Sequence, residues 1–158
     1  MNDISPEPKF IADHMLGSLS RWLRMLGYDC RYEKEFSDEE ILKVSQDENR
    51  VILTRDRELA ARGDSLFIDS TALDEQLIAV TKDYRLRFHP ENMRCSLCNG
   101  RLIEIEPEQV PAEIPQRSKE NATSFWKCEG CKKIYWDGTH WHGILQRFKR
   151  LKLAEDDQ

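Results

Sequence analysis

The chain has 158 residues, of which 39% are hydrophobic and 34% charged, and a formal net charge of −5. This length fits one domain or a small domain with an appendage, and no apolar run approaches the length that spans a membrane. The acidic balance excludes a strongly basic nucleic-acid footprint over the whole chain but leaves room for local basic patches.

Residues 1–90 carry 13 Lys/Arg against 18 Asp/Glu, and residues 91–158 carry 11 of each. Residues 1–9 are polar and proline-bearing, which reads as a loose tail and not as a signal peptide. The expected location is cytoplasmic.

Phe10-Ile11-Ala12 is an apolar run that ends in the carboxylate of Asp13, and a helical pattern follows at once. Leu16, Leu19, Leu23 and Leu26 recur at the spacing of one helix face, widened by Trp22 and Met25, and Gly27 stands where a left-handed cap stops a helix. Asp29-Cys30-Arg31-Tyr32 reads as a short second strand. Ser37 and Glu40 form a capping box, which puts Asp38 at the first helical position, where free amides favour a carboxylate.

Val51-Ile52-Leu53-Thr54 reads as a buried parallel strand. Arg55-Asp56-Arg57-Glu58 follows it, then a short helix over Leu59-Ala60-Ala61-Arg62 that stops near Gly63. Ser65-Leu66-Phe67-Ile68 is a fourth strand ending at Asp69. Thr71-Ala72-Leu73-Asp74 repeats the capping-box logic before a helix through Leu77, Ile78 and Val80. Strand and helix thus alternate about four times over residues 10–90. That pattern predicts a small three-layer α/β sandwich with a mostly parallel sheet, its strands' C-terminal ends on one edge. The expected division is an acidic-site domain over residues 9–90 and a zinc ribbon with a basic C-terminal helix over residues 91–153.

Cys95-Ser-Leu-Cys98 and Cys128-Glu-Gly-Cys131 are two short pairs, and Cys30 stands alone. An odd count without a secretion signal argues for a metal site over a disulfide framework. Four thiolates at this spacing suit a closed, structural tetrahedral zinc. Thiolate spacing alone also admits an iron–sulfur centre, and a redox dithiol needs only one pair. Residues 104–120, rich in Glu, Pro and Gln, read as an excursion between the pairs. Lys132 to Trp136 reads as a β-like run, and Asp137-Gly138 as a turn. Residues 139–153 read as a helix with Trp141, Ile144, Leu145 and Phe148 on one side and Arg147, Lys149, Arg150 and Lys152 on the other. Residues 154–158 read as frayed. Trp126, Tyr135, Trp136 and Trp141 either stack bases or cover a small zinc-supported core. His140 and His142, with four cysteines available, are not expected as ligands.

Asp13, Asp38 and Asp56 are the candidate catalytic and Mg²⁺- or Mn²⁺-binding acids, because hard cations prefer oxygen ligands and can polarise a phosphodiester. Taken singly, each is also an ordinary strand-end or first-turn acid; three aimed at one edge repel unless something neutralises them. Asp69 and Asp74 are weaker candidates for the same site, one at a strand end and one in a first helical turn. Arg21, Arg24, Thr54, Arg55 and Arg57 are candidate substrate contacts, and His14 is a candidate partner behind Asp13. Gly17 leaves room for a close approach near the first helix.

The run from Phe10 to Asp29, the segments Ser37-Asp38-Glu39-Glu40-Ile41-Leu42 and Val51-Ile52-Leu53-Thr54-Arg55-Asp56-Arg57-Glu58-Leu59, and the cysteine pairs with Tyr135-Trp136-Asp137-Gly138-Thr139-His140-Trp141 resemble the Mut7-C family of ribonucleases. The resemblance covers about residues 9–150. It implies a PIN-like α/β fold with an acidic Mg²⁺- or Mn²⁺-dependent site that cuts RNA, followed by a zinc ribbon. By motif, Asp13 matches the first-strand acid, Asp38 the acid opening the next helix and Asp56 the acid of the Thr-x-Asp segment; a fourth acid has no secure match.

The leading expectation is a metal-dependent endoribonuclease with RNA as partner. A second class is a non-catalytic RNA- or ribosome-associated zinc-ribbon protein. A third is a protein-interaction partner, such as one half of a toxin–antitoxin-like pair.

Overall fold

The computed structural model describes residues 7–155. Most of the expected N-terminal tail (residues 1–6) and the end of the expected frayed segment (residues 156–158) lie outside the described residues. Strands β1 (Phe10–Ala12), β2 (Cys30–Tyr32), β3 (Val51–Thr54) and β4 (Ser65–Phe67) make one parallel sheet in the order β2-β1-β3-β4. Helices α1 (Gly17–Leu26), α2 (Asp38–Glu48), α3 (Arg57–Ala60) and α4 (Leu73–Tyr84) follow the strands in turn.

The period of two along each strand separates the layers. Phe10, Ala12, Val51 and Leu53 face a core shared with Leu19, Leu23, Leu77 and Val80 of α1 and α4. Ile11 and Ile52 point the other way, onto Ile41 of α2 and Leu59 of α3. Apart from Ala12, each such buried side chain contributes about 2 kcal/mol relative to exposure, and a one-residue slip in register would exchange the two faces.

Local chemistry sets the helix ends. Gly27 closes α1 at φ 117°, and a Cβ there would lie 2.8 Å from the His89 carbonyl oxygen. Position 27 therefore needs glycine for both backbone conformation and space. The expected Ser37–Glu40 capping box opens α2, and Asn49 ends it in the left-handed conformation. The Thr71 capping box does not form. Ala72 is the N-cap of α4, without a side-chain bond, while the Ser70 hydroxyl accepts from the Ala72 N–H. The third helix starts at Arg57, earlier than the apolar pattern indicates, because Asp56 caps it.

Strands β5 (Leu102–Ile105), β6 (Phe125–Cys128) and β7 (Ile134–Trp136) form an antiparallel sheet, with α5 (Gln116–Asn121) between the first two. The expected excursion thus begins as strand, since Glu104 and Ile105 pair with Trp126 and Phe125. Helix α6 (Thr139–Arg150) returns to the first sheet's core: Ile144 and Phe148 are buried there, and Phe148 meets Trp22 edge-on at 5.7 Å. Beyond α6, buried Leu153 offers its carbonyl to the Phe88 N–H. Among the described residues, no helix is long and apolar enough to cross a membrane.

Candidate functional site

From β1 the chain passes through α1 to β2 on one side, and α2 then carries it back across β1 to β3. The direction reverses between β1 and β3, the switch point at which open α/β sheets leave a crevice beyond their strand ends. Asp13 directly follows β1 there. It is 2% exposed, and its N–H continues the ladder to the Leu53 carbonyl at 2.9 Å. Its Oδ1 accepts from the His14 N–H at 2.6 Å and lies 2.8 Å from the His14 Nδ1. Its Oδ2 accepts from the Thr54 hydroxyl at 2.8 Å.

Thr54 ends β3 and joins two acids, because its hydroxyl oxygen also accepts from the Asp56 N–H at 2.9 Å. Asp56 Oδ1 takes the Glu58 and Leu59 N–H groups at the start of α3. Among the described residues, the Asp56 Oδ2 has no hydrogen bond. Asp38 is exposed at the start of α2, and among the described residues its carboxylate has no hydrogen bond or salt bridge. Since α2 follows β2, its N-terminus lies on the same edge as Asp13 and Asp56. The donor set is all oxygen, which fits a hard cation. Among the described residues the three acids do not form a group with ligand atoms within 4.8 Å of one another.

The neighbouring candidates separate clearly. Arg57 is exposed and lies over the Phe67 ring, 4.2 Å from its centre. Arg55 reaches the Asp69 carbonyl at 3.3 Å, and its buried Nε has no partner among the described residues. Arg21 is exposed on α1. Arg24, the remaining candidate for a substrate contact, faces inward. It is 4% exposed and donates to the carbonyls of Cys30 at 2.8 Å and Ser96 at 2.9 Å, so it ties α1 to β2 and to the first cysteine pair. Gly17 makes room for the Tyr32 ring, whose hydroxyl donates to the His14 carbonyl at 2.8 Å. Asp69 is exposed after β4. Asp74 is engaged by α6, 3.4 Å from Arg147 Nε and 3.0 Å from Arg150 Nη1.

The four paired cysteines bring their sulfurs within 4.8 Å of one another. Cys95 and Cys131 are 3.7 Å apart, and Cys98 and Cys128 3.4 Å. A tetrahedron with metal–sulfur bonds of about 2.3 Å has edges of about 3.8 Å, so this cluster has the size of a four-thiolate metal centre. A Cβ at position 100 would lie 2.7 Å from the Cys128 sulfur, which is why glycine follows the first pair. Burial pushes the Cys128 thiol up, but the Cys131 and Gly130 N–H groups and Cys98 outweigh it and bring it down to about 7. Lone Cys30 is the contrary case: burial pushes it up to about 12, which leaves an inert thiol in the core.

The cluster is fastened to the opposite edge of the parallel sheet. Asp29, just before β2, accepts from Arg50 Nη1 and from the Asn99 amide, both at 2.7 Å. Asn99 Oδ1 accepts from the Cys30 N–H at 3.2 Å, and Arg50, just before β3, also donates to Glu48 at 2.7 Å and to the Phe10 carbonyl at 3.1 Å. Sequence reasoning missed this network. Its members are spread from position 29 to 99, and no spacing rule links them.

The family model of the Mut7-C RNAse domain matches residues 8–148. No curated protein and no solved structure matches the chain.

Proposed function

We propose that this chain, which belongs to the Mut7-C RNAse domain family, hydrolyses RNA phosphodiester bonds as an endoribonuclease, with Asp13, Asp38 and Asp56 as the metal-holding acids. The observation that carries the reading is Asp13, a buried carboxylate at the switch point, joined through Thr54 to Asp56. Buried carboxylates are costly unless paired or employed.

Asp38 and the free oxygen of Asp56 would complete the donor set for Mg²⁺ or Mn²⁺. Such an ion supplies Lewis-acid polarisation of a phosphodiester and acidifies water. The protein's own part is positional. Thr54 and His14 fix both oxygens of Asp13, and α3 fixes Asp56 by its first amides. The unsatisfied Arg55 Nε, with exposed Arg57 and Arg21, would take phosphate oxygens. In the same reading the four cysteines hold structural zinc, which keeps the ribbon folded and docked.

A second reading, a non-catalytic RNA-associated zinc-ribbon protein, is favoured by one observation: the cysteines are assembled at ligand distances and the acids are not. Substitution separates the two. Asp13→Asn and Asp56→Asn should each abolish cleavage of labelled RNA while thermal unfolding and zinc content stay near wild type. Full cleavage by both variants contradicts the nuclease assignment, and RNA binding without any turnover by wild type supports the second reading.

A further inference from the structure

The second sheet, α1 and α6 enclose a cleft of about 270 Å³ that no step of the proposed cleavage uses. Its walls include four half-buried aromatic side chains, Trp126, Tyr135, Trp136 and Trp141. Trp126 and Tyr135 are cross-strand partners on β6 and β7. Among the described residues, the three indole N–H groups have no hydrogen-bond acceptor, and Trp126 and Trp136 have no aromatic ring partner. Trp141 meets Phe88.

The charge of the lining is one-sided. Lys133 and His140 stand at the cleft with Arg94, whose guanidinium lies 3.7 Å from Asp29, and among the described residues no carboxylate lines it, although acids outnumber bases in the chain by 29 to 24. Lys133 lies 5.2 Å from the centre of the Tyr135 ring, and Tyr135 is itself fixed by its hydroxyl, 3.0 Å from the Cys95 sulfur and 3.2 Å from the Ser96 N–H. The cleft therefore combines flat apolar faces, unused N–H donors and an exposed lysine with no facing carboxylate among the described residues, on a wall tied to the cysteine cluster. A flat heteroaromatic ring bearing acceptors and joined to a phosphate complements all three features. An apolar side chain complements only the first.

We propose that this cleft takes an unstacked base of single-stranded RNA, with Lys133 and His140 toward its phosphate. The proposal rests on RNA as the substrate and adds a second contact, separate from the acidic edge. Groups that stack bases are sequence-tolerant, so the cleft would select unpaired over paired RNA more than one base over another.

The test uses the zinc-loaded full chain carrying Asp13→Asn, titrated with a short single-stranded oligoribonucleotide containing a fluorescent adenine analogue. Stacking should quench the analogue, and the same strand in a duplex should not be quenched. Trp126→Leu should weaken binding about tenfold. Lys133→Ala, an exposed change that spares the fold, should weaken it several-fold and flatten its salt dependence. Zinc content and thermal transition report that both variants are folded. Unchanged affinity in both overturns the proposal, as does an apolar peptide that occupies the cleft and is not displaced by the oligonucleotide.

Cleavage by the same variants with Asp13 restored keeps the two readings apart. Quenching without any cleavage sinks the nuclease reading alone, whereas cleavage with an unchanged KM in both variants sinks the base cleft alone.

Discussion

At the N-terminal edge of the parallel sheet, Asp29 is held by Arg50, Asn99 and Arg94, and Arg50 by Asp29 and Glu48. At the C-terminal edge, Asp38 and one oxygen of Asp56 have no hydrogen bond or salt bridge among the described residues, and Arg55 keeps a buried Nε without a partner. Three or four residues of strand separate the two edges. One set of charges is closed on itself and holds a ribbon. The other is left open, an arrangement that costs stability unless a cation or an anionic ligand completes it. A structural edge satisfies its own groups, whereas an edge for chemistry leaves groups for what binds there.

Breaking the cysteine cluster should have the largest effect. With Cys128→Ser, or after chelation, hydrogen exchange over residues 91–136 should approach that of an unfolded chain, because metal binding and folding are one event in so small a unit. Amides near Asp29 and Arg50 should also exchange faster, since Asn99 and Arg94 leave them, while those of Asp13 and Asp56 keep their protection. Equal loss at both edges would erase the distinction between them.

Asp29→Asn should come next, at about 2 to 3 kcal/mol of stability at neutral pH, because it strips the buried Arg50 of its best partner. Burial pushes the Asp29 carboxyl up, but the bonds from Arg50 and Asn99 and the charges of Arg50 and Arg94 outweigh it, so the group sits below its ordinary value of 3.8. A depressed folded-state pKa gives stability that is complete above the unfolded value and lost as pH falls through the folded one. Unfolding measured against pH should therefore show the wild type's advantage at pH 7 shrinking below about pH 4.

Two arginines sharpen the comparison further. Arg24→Ala leaves the Cys30 and Ser96 carbonyls without their donor and should cost about 2 kcal/mol. Arg57→Ala should change stability by about 0.5 kcal/mol or less and act instead on KM for RNA. Ser37→Ala should cost about 1 kcal/mol from loss of the α2 cap; its cleavage rate reports whether Asp38 must be held at that helix start.

The four strands, the α1 stripe with its Gly27 stop, the Ser37 cap and the cysteine pairs were legible in the sequence, because periodicity, capping and ligand spacing are local. Asp13, Asp38 and Asp56 could be assigned to one edge for the same reason, once strand and helix alternated. Arg24 could not be placed, since only the arrival of Ser96 beside α1 turns a helix-flank cation into an internal tie. Part of the basic side of α6 likewise acquires partners that no local pattern announces. Arg147 lies 4.6 Å from the centre of the Trp22 ring and, with Arg150, pairs with Asp74, partners from two other helices. Thr71 failed as a cap because Ser70 provides the turn before α4.

The most direct measurement is cleavage of a panel of labelled single-stranded and structured RNAs by the zinc-loaded chain, in Mn²⁺, in Mg²⁺ and without added divalent ion, with Asp13→Asn beside wild type. Cutting that needs the added ion and vanishes in Asp13→Asn is the predicted result. Cutting that persists in Asp13→Asn, or proceeds equally without the ion, would contradict an acidic metal site at the open edge.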